Sequence, residues 1–201
     1  MAKQSGLVWA MTLGVTVALA SGCRVDDHKS GNGDDVKIAT PFGGMSVKTD
    51  QAVVEREVGL TTYPGAVLEK KKDDKNNEAA DFKLNLGSFH VGVKAISYTT
   101  PDAPEKVLEF YRKDMAKYGS VILCRGGHAV GSPDHTQDGL GCDKDHGGKV
   151  SVDEDDANEE LKAGSKLHQH IVGIDPQGTG TKIGLVSLDL PGHLSDSEDK
   201  Q

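Results

Sequence analysis

Tryptophan is almost missing from this chain of 201 residues, and aromatic side chains together make up only 4% of it. The one tryptophan, Trp9, sits in an apolar stretch near the N-terminus, so the rest of the chain has none. A broad aromatic platform for stacking ligands is therefore not expected. No apolar run reaches the roughly 18 residues that a bilayer-spanning helix needs. Basic residues are outnumbered, with 23 Lys and Arg against 31 Asp and Glu, for a formal charge of −8. The lack of a basic stripe argues against nucleic-acid binding and against electrostatic docking on anionic lipid. The acidic excess reads as solubility. Catalytic signatures are missing too: there is no Gly-x-Ser-x-Gly elbow, no His-Glu-x-x-His pair and no Gly-x4-Gly-Lys-Ser/Thr loop. Carboxylates are plentiful, but the sequence singles out no opposed pair. The chain is read as non-enzymatic, and no cofactor is assigned to it.

What is present begins with a leader. Lys3 supplies a positive start, and residues 7–20 form an uncharged, mainly apolar stretch of 14 residues. That length suits the core of a signal peptide. It leads into Ala20-Ser21-Gly22-Cys23, which resembles the lipobox of bacterial lipoproteins, with Leu19 one position earlier than the leucine of the commonest form. The resemblance implies that residues 1–22 are removed and that Cys23 becomes an acylated N-terminus. The bland alternative is an ordinary secretory signal cut near Ala20. Each buried methylene contributes about 0.8 kcal/mol and one chain holds only marginally, so the two or three chains typical of such proteins are needed for stable anchoring. Arg24 stands where some lineages place an inner-membrane retention aspartate, which slightly favours the outer membrane over the inner.

Cleavage before Cys23 leaves 179 residues carrying −9, since Lys3 is the only charge removed. That is enough for one domain with its own core. It also resolves the awkward count of three cysteines. With Cys23 acylated, Cys124 and Cys142 remain as a pair, and an oxidising envelope favours joining them. The bridge closes a loop of about 19 residues, worth on the order of 3 kcal/mol.

Residues 24–35 are polar and glycine-bearing and read as a flexible tether. Residues 36–192 read as a single domain, and residues 193–201 as a charged, fraying tail. Within the domain, short strands are expected at 36–39 and 45–48, around a Pro41-Phe42-Gly43-Gly44 turn. A helix over 51–58, capped by Asp50, ends at Gly59. Tyr63-Pro64-Gly65-Ala66 is a turn before a strand near 67–70, and 71–78 a solvated turn. Strands 81–86 and 90–98 flank Gly87-Ser88. Val91, Val93, Ala95 and Ile96 break simple alternation, which suggests a bulge or a twist. The clearest element is a helix after Asp102, its expected N-cap, with Pro104 in the first turn. Val107, Leu108, Tyr111, Met115 and Tyr118 recur along it at helical spacing, and Gly119 closes it. Strands follow at 120–124, 149–152, 168–174 and 182–190, the last two joined by a seven-residue loop, 175–181. The expected class is α+β: a mostly antiparallel sheet with one principal helix packed on one face.

Thr40-Pro41-Phe42-Gly43-Gly44, Tyr63-Pro64-Gly65-Ala66, and Tyr98-Thr99-Thr100 leading to Phe110-Tyr111 together resemble a group of uncharacterised bacterial lipoproteins. The resemblance spans about residues 36–190. Its motifs are turn and core residues, so it implies a fold and an anchor and no mechanism.

Three places carry candidate chemistry. The glycine-rich segment 125–148 holds His128, His135 and His146, with Cys124 and Cys142 at or near its edges. The spacings Cys124-x3-His128 and Cys142-x3-His146 are alike, so two thiolates and two imidazoles form an alternative zinc site to the disulfide. His168-Gln169-His170 lies on an expected strand, where alternation puts both imidazoles on one face. They are candidate ligands for zinc, copper or nickel, with His90 as a third, against the simpler reading of ordinary sheet residues. The acidic run 153–160 offers oxygens for calcium but lacks the EF-hand pattern, and reads as a solvated loop. The function expected is that of a membrane-anchored envelope lipoprotein with a non-enzymatic binding or structural domain. Its partners are the membrane, through the lipid, and an envelope protein or glycan. A metal-binding envelope lipoprotein is the alternative.

Overall fold

The structure, a computed structural model, describes residues 24–30, 33–69, 79–143 and 159–192. In chain order its elements are β1 (Arg24–Ser30), β2 (Gly33–Thr40), β3 (Gly43–Lys48), α1 (Gln51–Val58), β4 (Val67–Leu68), β5 (Ala79–Leu86), β6 (Phe89–Thr100) and α2 (Pro104–Asp114). A 3-10 turn (Met115–Tyr118) follows, and then β7 (Ile122–Arg125), β8 (His128–Ala129), β9 (Glu159–Gly164), β10 (His168–Gln177) and β11 (Gly180–Asp189). All the strands belong to one antiparallel sheet of order β1-β2-β3-β5-β6-β11-β10-β9-β7-β8, with β4 alongside β6. None of the described helices is long and apolar enough to cross a membrane.

The expectation of an α+β fold built on a principal helix is therefore corrected to a nearly all-β fold with two short helices. Three segments account for the difference. Residues 24–30, expected as tether, pair along their length with β2, so the sheet begins before residue 36. The 175–181 loop shrinks to a turn at Gly178-Thr179, because β10 continues through Pro176. Beyond Ile174, β11 is the only strand partner of β10 among the described residues, so there a residue without an N–H costs no described ladder bond on the other side. Residues 159–164, of which the first two belong to the acidic run, form β9. The expected strand at 149–152 and the tail lie outside the described residues.

Local signals set the helices. Asp50 caps α1, its Oδ1 accepting the Val53 N–H at 3.1 Å, and Gly59 ends it at φ 74°. An added Cβ at Gly59 would lie 2.7 Å from the Tyr118 hydroxyl, so both backbone and space call for glycine. The N-cap of α2 is Ala103, without a side-chain bond, rather than Asp102. Asp102 instead accepts the Tyr63 hydroxyl at 2.8 Å, which lowers its pKa. Val107, Tyr111 and Met115, four residues apart, are fully buried.

Those residues, with Val54 and Val58 of α1, pack on one face of the sheet. Ile96, Leu185, Val172 and Leu161 stand in one cross-strand row beneath them; Tyr98, Ile183 and Ile174 form the next. All seven are at most 2% exposed. Toward β2 and β3 the same face turns polar, with Asp81 and Lys83, then Ser46 and Lys48, then Asp35 and Lys37. The apolar residues there have moved to the other face. One row runs Val36, Val47, Phe82, Val93, Leu188; its neighbour runs Val25, Ile38, Met45, Leu84, Val91. Strand β6 makes the exchange within itself, from Val91 and Val93 on one face to Ile96 and Tyr98 on the other. Its pairing with β5 and β11 is continuous, so the broken alternation marks a change of face and not a bulge.

Candidate functional site

The polar end of the helix face collects the ionisable residues. Residues two apart on a strand share a face. Cross-strand register then sets His168 opposite Asp189, His170 opposite Ser187, Ser187 opposite Lys94, and Lys94 opposite Asp81.

His168 is exposed, and its Nδ1 lies 3.0 Å from Asp189 Oδ1. The other oxygen of Asp189 accepts from Lys94 Nζ at 3.1 Å. Partial burial of Asp189 works against its charge, but the bonds from His168 and Lys94 outweigh that and lower its pKa. On the neighbouring strand Asp81 is only 1% exposed. Its Oδ2 accepts from Lys83 Nζ at 2.9 Å, and Lys83 also reaches Glu57 Oε2 at 2.7 Å. Lys48 stands 4.0 Å from Glu57. The Lys83 bond holds Glu57 below its ordinary pKa. Burial disfavours the Lys83 charge, yet its two carboxylate partners raise its pKa. Positive and negative groups thus alternate across four strands and α1, and the network largely neutralises itself. One group stands out: Asp81 Oδ1 is buried with no hydrogen-bond partner.

His170 differs from His168. It lies flat on the Tyr118 ring, with centroids 3.6 Å apart and planes at 17°. Tyr118 is itself fixed by donating its hydroxyl to the Gly59 carbonyl. Burial lowers the His170 pKa, with Lys117 and Lys94 pushing the same way and Asp189 and the Val58 carbonyl opposing. Its Nδ1 is buried without a partner. His90, the third candidate ligand, is exposed at the β5–β6 turn, with its Nδ1 3.1 Å from the Ser88 carbonyl. The two histidines of β10 therefore share a face, as alternation requires, while their partners differ. Among the described residues, no group of three or more His, Cys, Asp or Glu is placed to hold a metal ion.

The second region is the loop after β8. Cys124 and Cys142 are buried at disulfide distance, with Cα atoms 5.8 Å apart. Their sulfurs meet each other. His128 lies on β8, His135 pairs with Asp134 at 2.9 Å, and His146 falls outside the described residues. Thr136 Oγ1 donates to the Gly164 carbonyl at 2.7 Å and accepts the Leu140 N–H at 3.1 Å. Lys162, 2% exposed, pairs with Asp143 and Glu160. Burial raises the Glu160 pKa. Most of the acidic run lies outside the described residues, but Glu159 pairs with Arg125 and Glu160 with Lys162, so its end is built into the sheet. These contacts tie the loop over β7 and β9 on the face opposite the helices.

Sequence reasoning missed Asp189, Lys94 and Tyr118 around the β10 histidines, and the Asp81–Lys83–Glu57 group further along the same face. The i, i+2 placement of Asp81 and Lys83 signalled a shared face, but only the register reveals which strands meet. No protein-family model matches the chain, and no curated protein or solved structure is similar to it.

Proposed function

We propose that this chain is a lipid-anchored cell-envelope protein whose domain binds or supports a partner and carries out no reaction. The observation that carries the reading is the placement of Cys124 and Cys142 at disulfide distance. Such a pair suits an oxidising compartment. It leaves Cys23 as the remaining cysteine, in the sequence context of an acylation site. The anchor is the acyl group on Cys23, and Arg24 favours the outer membrane over the inner. The charged side chains support a non-catalytic role, since they pair with one another across the sheet. The partner expected is an envelope protein or a glycan.

Intact-mass analysis of the protein from its native cells tests the reading. The expected product begins at Cys23, carries two or three acyl chains and has no free thiol before reduction. Palmitate label is lost in Cys23→Ser. A product that begins at Met1, or label that persists in that variant, overturns it.

A further inference from the structure

Outside the leader, the run 58–68 carries no Asp, Glu, Lys or Arg, and neither do two ten-residue stretches of the sheet, 38–47 and 84–93, although 27% of all residues are charged. Both sheet stretches are hairpins, and register brings their turns to one end of the sheet. Thr40, Gly43, Leu86 and Phe89 stand in a single cross-strand row there. Two large apolar side chains stand open to solvent at this end, among the exposed, uncharged Thr40, Asn85 and Ser88 and the exposed His90. Phe42 is 84% exposed and Leu86 48%. An added Cβ at Gly43 would lie 2.0 Å from the Asn85 carbonyl, so the two hairpins are pressed together and present their turns as one unit. Behind the turns lies the row Val25, Ile38, Met45, Leu84, Val91, in which Val25 is 61% exposed.

The chain enters the sheet at this same end. β1 begins at Arg24, opposite Ala39 and beside the β2–β3 turn. Cys23 immediately precedes Arg24 in the sequence. An acyl group on Cys23 is therefore one residue of sequence from the start of β1, at the end of the sheet that carries Phe42.

We propose that the end of the sheet formed by the β2–β3 and β5–β6 turns docks into the surface of the bilayer that holds the acyl chains. The proposal rests on acylation of Cys23 and adds an orientation to it. Phe42 and Leu86 enter the boundary between headgroups and acyl chains, where apolar side chains gain and a carboxylate would be repelled by anionic lipid. The two uncharged hairpins keep carboxylates away from that boundary in a chain of net charge −8. The opposite end of the sheet points away: β6 runs from Phe89 to Thr100, 12 residues or roughly 40 Å. The β10–β11 turn at Gly178-Thr179 lies at that distal end.

The cleaved chain has no tryptophan, so a single introduced one reports its own surroundings. The Phe42→Trp, Leu86→Trp and Thr179→Trp variants are purified in acylated form from native cells. Each is reconstituted in phosphatidylcholine vesicles with and without dibrominated phosphatidylcholine. The expected result is blue-shifted emission and loss of intensity to bromine for Phe42→Trp and Leu86→Trp, with neither change for Thr179→Trp. Mass spectrometry of the same samples reports the state of Cys23. Acylated protein with unquenched, water-like emission at 42 and 86 overturns the docking and leaves the anchor standing. A blue shift without bromine quenching places a protein surface, such as a second copy, on the turns and also overturns it. Unmodified Cys23 removes the anchor, and the docking falls with it.

Discussion

Ile174 and Ile38 are the same side chain in two strands of one sheet, yet they live in different surroundings. Ile174 of β10 is 1% exposed beneath α2, among Val172, Ile183 and Leu161. Ile38 of β2 is half-buried on the other face, between Val25 and Met45, and no described helix covers it. The helix-covered region closes its apolar surface on itself. The region of β1, β2, β3 and β5 turns its apolar surface outward and spends its charges on the inner face, where Asp81, Lys83 and Glu57 pair. A sheet need not keep one apolar face from edge to edge, and a domain can bury its core at one end while offering hydrophobic side chains to a different medium at the other.

That contrast is broken or sharpened first by the core. Ile174→Ala is expected to cost about 2–5 kcal/mol, the range for large-to-small changes in a packed interior. Urea denaturation followed by far-ultraviolet circular dichroism measures it. A cost below about 1 kcal/mol erases the distinction between the regions. Next comes the covered patch of the outward face. There Cys124 and Cys142 hold the loop against β7 and β9 across 18 residues of sequence separation. Replacing both by serine is expected to cost about 3 kcal/mol on the chain-entropy model. Adding reductant to the native protein reproduces the loss, and the double variant is insensitive to it.

The third effect is smaller and lies at the polar end of the helix-covered face. His170 has a lowered pKa through burial against Tyr118. The unfolded chain takes up its proton near the ordinary value of about 6.5, before the folded one does. Stability contributed by the neutral ring is therefore complete above about pH 6.5 and is lost as pH falls toward the folded value. Asp189 has its pKa lowered as well, so its contribution is lost only in a more acidic window, below the ordinary carboxylate range. A His170→Phe variant keeps the stacking and is expected to flatten the decline just below pH 6.5. An unchanged slope shows that the ring is solvated.

Much of the inner region was legible from spacing alone. Asp50 and Gly59 bracket α1 as expected, and the four-residue period of Val107, Tyr111 and Met115 marks the buried side of α2. The Gly87-Ser88 turn stands where the pattern placed it, with Gly87 at φ 60°. The outer region was harder to read for a physical reason. The charged sequence Arg24, Asp26, Asp27, Lys29 makes β1 look like tether, although charge is common on an edge strand. Within β6 the apolar residues change face midway, so a period of two is interrupted without any interruption of the strand. At the candidate site, alternation placed His168 and His170 on one face, but their partners come from β6, β11 and the 3-10 turn. Such partners are fixed by register and packing, which single-sequence spacing does not carry.

The smallest expected effect is the most discriminating. Ile38→Ala removes the same atoms as Ile174→Ala, from a site with Val25 and Met45 beside it and no described layer above. Only the part of the side chain shielded by those neighbours leaves water on folding, so the cost is expected to stay below about 1 kcal/mol. The two variants, measured in the same denaturant series on the same background, compare identical chemistry in two regions of one sheet. A cost for Ile38→Ala as large as that for Ile174→Ala means that this face is closed in solution by another part of the chain or by a second copy. The fold is then a two-layer closure at both ends, and the turns at Phe42 and Leu86 are the rim of an interior. A small cost leaves the face open, and an apolar face that contributes little to folding is free to be spent on a neighbour.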